Sequence, residues 1–140
     1  MSRKQSRSQA RQEAFKLIFQ TETNRDDVNF LIDQMLENKP ESEQNLEYIK
    51  KVLFGVLEKE DELKRDILEN LSSKWKIERI SKVSLAVLKL AVYEIKYMED
   101  IPVKVSINEA VELDKKFDEP DSSAFVNGVL GGFCKKNGIE

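Results

Sequence analysis

Five cations crowd the first sixteen residues of this chain: Arg3, Lys4, Arg7, Arg11 and Lys16, against the single carboxylate Glu13. That stretch carries +4, and because the whole chain is −3 the remainder carries −7. Guanidinium and ammonium groups in such a run make no bonds and break none; the chemistry they suit is the holding of phosphates. Arg7 and Arg11 stand four apart, so a helix puts them on one face. Ser6, Ser8 and Gln9 between them are hydrogen-bonding neighbours suited to phosphate or sugar. An acidic remainder discourages indiscriminate nucleic-acid binding, which favours a specific or partner-assisted single-stranded RNA site over a generic DNA coat. Read on charge alone, the same stretch is equally a disordered, solubilising start.

Other chemistries are excluded by what is missing. The chain has no histidine and one cysteine, Cys134. Ser-His-Asp and Cys-His catalysis and histidine or thiolate metal sites are therefore closed to it. No GxxxxGK[ST] or GxGxxG run cradles a phosphate. The "GVLG" at Gly128–Gly131 resembles a KH loop only in its two glycines. Carboxylates are numerous, but at 35% charged residues they read as solvated helix faces. No catalytic residue, metal or cofactor is expected. No apolar run approaches 18 residues, so no membrane span is expected. The start lacks the apolar core of a secretory signal, and a lone cysteine fits a reducing cytoplasm.

The elements that must position these residues read as helices. Five glycines and three prolines in 140 residues leave long uninterrupted stretches. In "RSQARQEAFKLIFQTE", Ala10, Ala14, Leu17 and Ile18 share a face that Phe15 and Phe19 widen. "VNFLIDQML", residues 28 to 36, forms a short second helix stopped at Lys39-Pro40, with Ser42 as the next N-cap. The spacing Leu46, Ile49, Leu53, Val56, Leu63, Ile67, Leu71 is helical but overlong, so a break is expected near Lys64-Arg65. "SKVSLAVLKLAVYEIKYM", residues 81 to 98, is apolar around most of its circumference and belongs at the centre of the core. Pro102 opens the next helix as its first residue; a capping box from Ser106 to Glu109 is the other option. That helix carries Val105, Ala110, Val111, Leu113 and Phe117. Asp121 or Ser122 caps the last one, whose stripe is Phe125, Val126, Val129, Leu130 and Phe133, with Gly138 beyond its end. No block has strand period. The expectation is a single all-α domain, a compact bundle of about seven helices over residues 1–140.

The awkward pair is Asn127-Gly128 inside that last stripe. Asn-Gly between apolar runs ordinarily marks a hairpin turn. "SINEAVELDKKFDEPDSSAFVNGVLGGF" resembles the C-terminal signature of the NusB family of bacterial transcription antitermination factors. "RSQARQEAFKLIFQTE" is similar to the first helix of that family, and "WKIERISKVSLAVLKLAVYEI" followed by "IPVKV" to its central segment. The resemblance covers the whole chain in order. It implies that Asn127-Gly128 lies within a helix, that Gly128 admits a closely packed neighbour, and that Asn127 satisfies backbone groups nearby.

The resemblance also implies a function. The family is non-enzymatic. It pairs with the small-subunit ribosomal protein called NusE and binds boxA, a single-stranded element of ribosomal-RNA leaders. It joins RNA polymerase in a complex that suppresses premature termination. By resemblance, Arg3, Lys4, Arg7 and Arg11 contact RNA, Lys89 stands where the family has an arginine, and Asp121 and Phe125 complete the RNA site. An accessible Phe125 stacks on an unpaired base for about 1–3 kcal/mol; otherwise it is core. Asp121 would repel phosphate, so it reads a base or is a helix cap. Phe19, Glu78 and Ser84 lie where the ribosomal partner docks. Asp114 stands where the family often has alanine and receives no role. Two other readings remain: an accessory domain of an RNA methyltransferase system, disfavoured because the chain ends without a glycine-rich cofactor strand, and a homodimer or larger self-assembly that hides the basic face.

Overall fold

A computed structural model describes residues 3–23, 27–71 and 80–139 of the chain. Among them are seven α-helices and no strand: α1 Arg7–Thr23, α2 Val28–Asn38, α3 Leu46–Glu58, α4 Glu60–Leu68, α5 Lys82–Tyr97, α6 Val103–Phe117 and α7 Ser122–Lys136. A 3-10 segment, Pro40–Asn45, joins α2 to α3.

Helix α5 is the axis of the packing. Eleven of its residues are buried, from Ser84 to Ile95, and α1, α3, α4, α6 and α7 all lie against it. Its all-round apolarity requires neighbours on every side. Ser81 starts it by accepting the Ser84 backbone N–H at 2.9 Å. The tightest packing is at Gly55 on α3. A Cβ there would sit 2.2 Å from Tyr93 Cζ on α5, so only glycine admits the ring.

Several boundaries differ from the sequence expectation, each for a local reason. The long apolar stripe breaks at Lys59, not near Lys64-Arg65. Ser42 caps nothing: it is fully buried and its hydroxyl accepts from Gln5 Nε2 at 2.8 Å. Pro102 stands one residue outside α6 as its N-cap, and Ser106 is buried, donating to Glu94. Asn127-Gly128 does lie inside α7. Among the described residues, however, nothing lies within 4 Å of a Cβ built at Gly128, and the Asn127 side chain bonds none of them; both are exposed. Close approach therefore explains Gly55 and not Gly128. Past α7, Gly138 takes φ 66°, and Ile139 N–H reaches back to the Cys134 carbonyl at 2.8 Å, a Schellman closure.

Candidate nucleic-acid interface

The basic start is not a loose tail. Ser6 and Gln9 form a capping box at the head of α1: Ser6 Oγ accepts the Gln9 N–H at 3.0 Å, and Gln9 Oε1 accepts the Ser6 N–H at 2.8 Å. Before it, the segment of residues 3–5 is fastened to the 3-10 segment. Gln44 Nε2 donates to the Arg3 carbonyl at 2.6 Å, Gln44 Oε1 accepts the Gln5 N–H at 2.9 Å, and Asn45 Nδ2 donates to Gln5 Oε1 at 2.9 Å. The Arg3, Lys4 and Arg7 side chains are left exposed on this fixed backbone. Arg7 lies 4.5 Å above the Tyr48 ring, and its Nε donates to Asn45 Oδ1 at 3.3 Å. Ser6, Ser8 and Gln9, expected to face phosphate or sugar, are committed within the protein, Ser8 donating to Glu109.

Arg11 is a correction. It is 1% exposed, on the inward side of α1. Its Nε donates to Glu94 Oε2 at 2.7 Å, and Nη1 lies 3.0 Å from Glu109 Oε1, in ion-pair range without hydrogen-bond alignment. Tyr48 donates to the same Glu94 oxygen, and Ser106 Oγ to the other at 2.7 Å. Burial works against the Arg11 charge, but the Glu94 hydrogen bond together with the charges of Glu94, Tyr48 and Glu109 outweighs it and raises its pKa. Burial, aided by the Glu94 carboxylate, pushes the Tyr48 phenol far up. Arg11 thus anchors α1 to α5 and α6 and has no face left for phosphate. Lys89 is a second correction. Its side chain is wholly buried in α5, where its ammonium pairs with Glu22 of α1 and with Glu60 of α4 at 3.3 Å.

Asp121 and Phe125 stand together. They border a groove of about 350 Å³ between the start of α5 and the α6–α7 linker, shared with Ser81, Ser84, Asp118 and Ser122. Asp121 is exposed and occupies the N-cap position of α7 without a side-chain cap bond. Phe125 is half-buried, with its ring packed against the core and part of it open to the groove. Beneath lies Asp114, fully buried, receiving the Ser84 hydroxyl at 2.8 Å and that of Ser122. Burial pushes the Asp114 carboxyl up, against those two bonds. For Asp118 burial pulls the same way but loses to the hydroxyls of Ser81, Ser84 and Ser122 and the Glu119 N–H, which hold it below the usual carboxylate range. The groove therefore keeps an ionised acceptor beside an aromatic.

Of the expected partner residues, Phe19 is half-buried and borders an apolar groove of about 400 Å³ with Phe15, Lys16, Gln20, Val83 and Phe117. Ser84 is only 2% exposed, and its hydroxyl is spent on Asp114 and Asp118. Direct contact with a protein surface is thereby corrected to an internal role. Glu78 lies outside the described residues. Sequence reasoning missed the residues that organise the basic end: Gln44, Asn45, Tyr48, Glu94 and Glu109. Their separations from the residues of the start that they touch, 37 to 41 positions for Gln44, Asn45 and Tyr48, leave no signal in spacing.

The NusB family model matches residues 8–135. This chain belongs to the NusB family. It is 40% identical over 132 residues to the transcription antitermination protein NusB of Clostridium novyi, covering 93% of this chain and 98% of that one. The corresponding protein of Ruminiclostridium cellulolyticum is 43% identical over 129 residues, covering 92% and 88%. Among solved structures, NusB of T. maritima superposes with a TM-score of 0.81 at 32% identity, over 96% of this chain and 94% of that one. The antitermination factor NusB, solved with NusE and double-stranded RNA, superposes at 0.80 with 25% identity, over 93% and 96%. Among the described residues no helix is long and apolar enough to cross a membrane, and no three His, Cys, Asp or Glu gather as metal ligands.

Proposed function

We propose that this protein is a transcription antitermination factor that binds single-stranded boxA-type RNA together with NusE. The pair acts within an RNA polymerase complex on ribosomal RNA operons. The observation that carries this reading is the NusB family match across residues 8–135, with relatives of that name along nearly the full chain. Its activity is binding without catalysis or cofactor, in the cytoplasm.

The geometry supports a division of labour. Arg3, Lys4 and Arg7 take phosphates, and the fastened backbone removes part of the ordering cost of doing so. Phe125 stacks a base at the groove, and Asp121 accepts from that base's donor edge. Arg11 and Lys89 act through the fold, holding α1 against α5. The apolar groove at Phe19 receives the ribosomal partner.

The test is fluorescence anisotropy of a labelled boxA-type RNA, with and without NusE, across a salt series. Tighter binding with the partner, lost when the RNA is scrambled, is expected. Equal binding of scrambled RNA in both conditions would overturn the reading. Phe125→Asp should abolish binding while leaving the helical circular dichroism intact.

A further inference from the structure

The solvent face of α3 carries chemistry that the fold does not use. Glu47, Lys51 and Phe54 fall within about 60° of one another around the helix, over about 10 Å of its length, with Lys50 at the edge. All four are exposed, Phe54 to 42%. An aromatic on the outer side of an amphipathic helix adds nothing to the core, and here it is one turn from a lysine with no ion pair among the described residues.

Next to them lies a polar recess of about 220 Å³, formed by Arg7, Glu47, Tyr48, Lys51, Met98 and Asp100. Arg7 is held there in advance by the Tyr48 ring and by Asn45. Tyr48 is itself fixed by its bond to Glu94. The recess is thus lined by two cations, Arg7 and Lys51, and two carboxylates, Glu47 and Asp100. Carboxylates repel a phosphate but accept from a ribose hydroxyl or an exocyclic amine. The two cations suit the phosphates on either side of that nucleotide, and the exposed Phe54 offers a stacking face on the same helix.

We propose that this recess and the Lys51–Phe54 face of α3 form a nucleotide subsite, binding single-stranded RNA that flanks the segment held by the basic start. The inference rests on the RNA-binding reading above, because Arg7 is common to both. Continuity through Arg7 and the alternation of cation, acceptor and aromatic favour RNA over a protein occupant.

The test uses the full chain with three RNAs: a minimal boxA-type oligonucleotide, and the same extended by four nucleotides at the 5′ end or at the 3′ end. One extension, and only one, should tighten wild-type binding several-fold. Lys51→Glu and Phe54→Ala should each erase that gain while leaving affinity for the minimal RNA unchanged. Both sites are exposed, so circular dichroism should confirm that the variants fold. A 4-thiouridine in the productive extension should crosslink within Leu46–Glu58. If neither extension tightens binding, or if Lys51→Glu leaves the gain intact, the subsite is overturned while RNA binding itself stands. If Lys51→Glu alters only assembly with NusE, the face is a protein contact and the proposal fails. If wild type binds no RNA, this inference falls with the reading beneath it.

Discussion

Arg11 shows how one residue type can serve two ends. Its side chain sits among Glu94, Glu109 and the Tyr48 ring, and Glu94 in turn collects Arg11, Tyr48 and Ser106. Removing the guanidinium leaves a buried carboxylate with hydroxyl donors but no cation. Arg11→Ala is therefore expected to destabilise by about 3–5 kcal/mol, read by urea denaturation. Normal stability with weakened RNA binding would restore Arg11 to the surface set. Asp114 makes the opposite case. Its carboxyl is buried with hydroxyl partners and, among the described residues, no cation, and its folded pKa is raised. Such a group penalises the fold when ionised; the penalty is full above the folded value and fades as pH falls through it toward the unfolded value. Asp114→Asn should thus unfold at higher temperature than wild type at pH 7, with the difference shrinking as the pH is lowered through the acid range. An Asn variant that unfolds at lower temperature than wild type at pH 7, with the deficit closing on acidification, would show instead that Asp114 is a net stabiliser.

At the scale of the element, helix types and the central place of α5 were legible because apolar spacing reports them directly. The partners were not. Nothing in "VLFGVLE" says that Gly55 faces a tyrosine 38 positions later, whereas "FVNGVL" draws the eye to a glycine that meets open space. Likewise, Arg7 and Arg11 share a helix face by spacing, yet Arg11 is buried against Glu94 of α5 while Arg7, one turn earlier, is exposed over Tyr48 of α3. The break at Lys59 escaped notice because the apolar stripe continues in phase across it. Phe125 and Asp121 were placed correctly on α7 and its start, but whether they border a groove depends on α5 and the α6–α7 linker, which no local pattern encodes. The two glycines give a paired test. Gly55→Ala forces a clash with a ring held in the core, and should cost about 1–3 kcal/mol. Gly128→Ala removes a flexible residue from an exposed helix interior, and should stabilise by up to about 1 kcal/mol. Thermal unfolding of the two variants should move in opposite directions; a loss at position 128 would mean that a bound partner or a hidden contact occupies that face.

On the scale of the whole molecule, charge is partitioned: +4 on residues 1–16 and −7 on the rest. Two of the cations in that start, Arg11 and Lys16, are paired within α1 or the core, so the exposed lead consists of Arg3, Lys4 and Arg7. A field this small gives selective binding only if its members are held in register, and Gln44 and Asn45 hold them. Contact and pre-organisation can be separated by salt. Replacing Arg7 with alanine removes a phosphate contact, so affinity for single-stranded RNA should fall and the slope of log K against log salt should flatten by about 0.7. The double replacement Gln44→Ala with Asn45→Ala leaves every cation in place but frees the segment that carries them. Five lost hydrogen bonds, each contributing only a fraction of about 1 kcal/mol to ordering that segment, predict an affinity loss of about tenfold with the slope unchanged. Parallel lines displaced in affinity would establish that the 3-10 segment works by fixing the basic start. A flatter line would instead make Gln44 and Asn45 direct RNA contacts, and coincident lines would mean that the start orders itself only when RNA arrives.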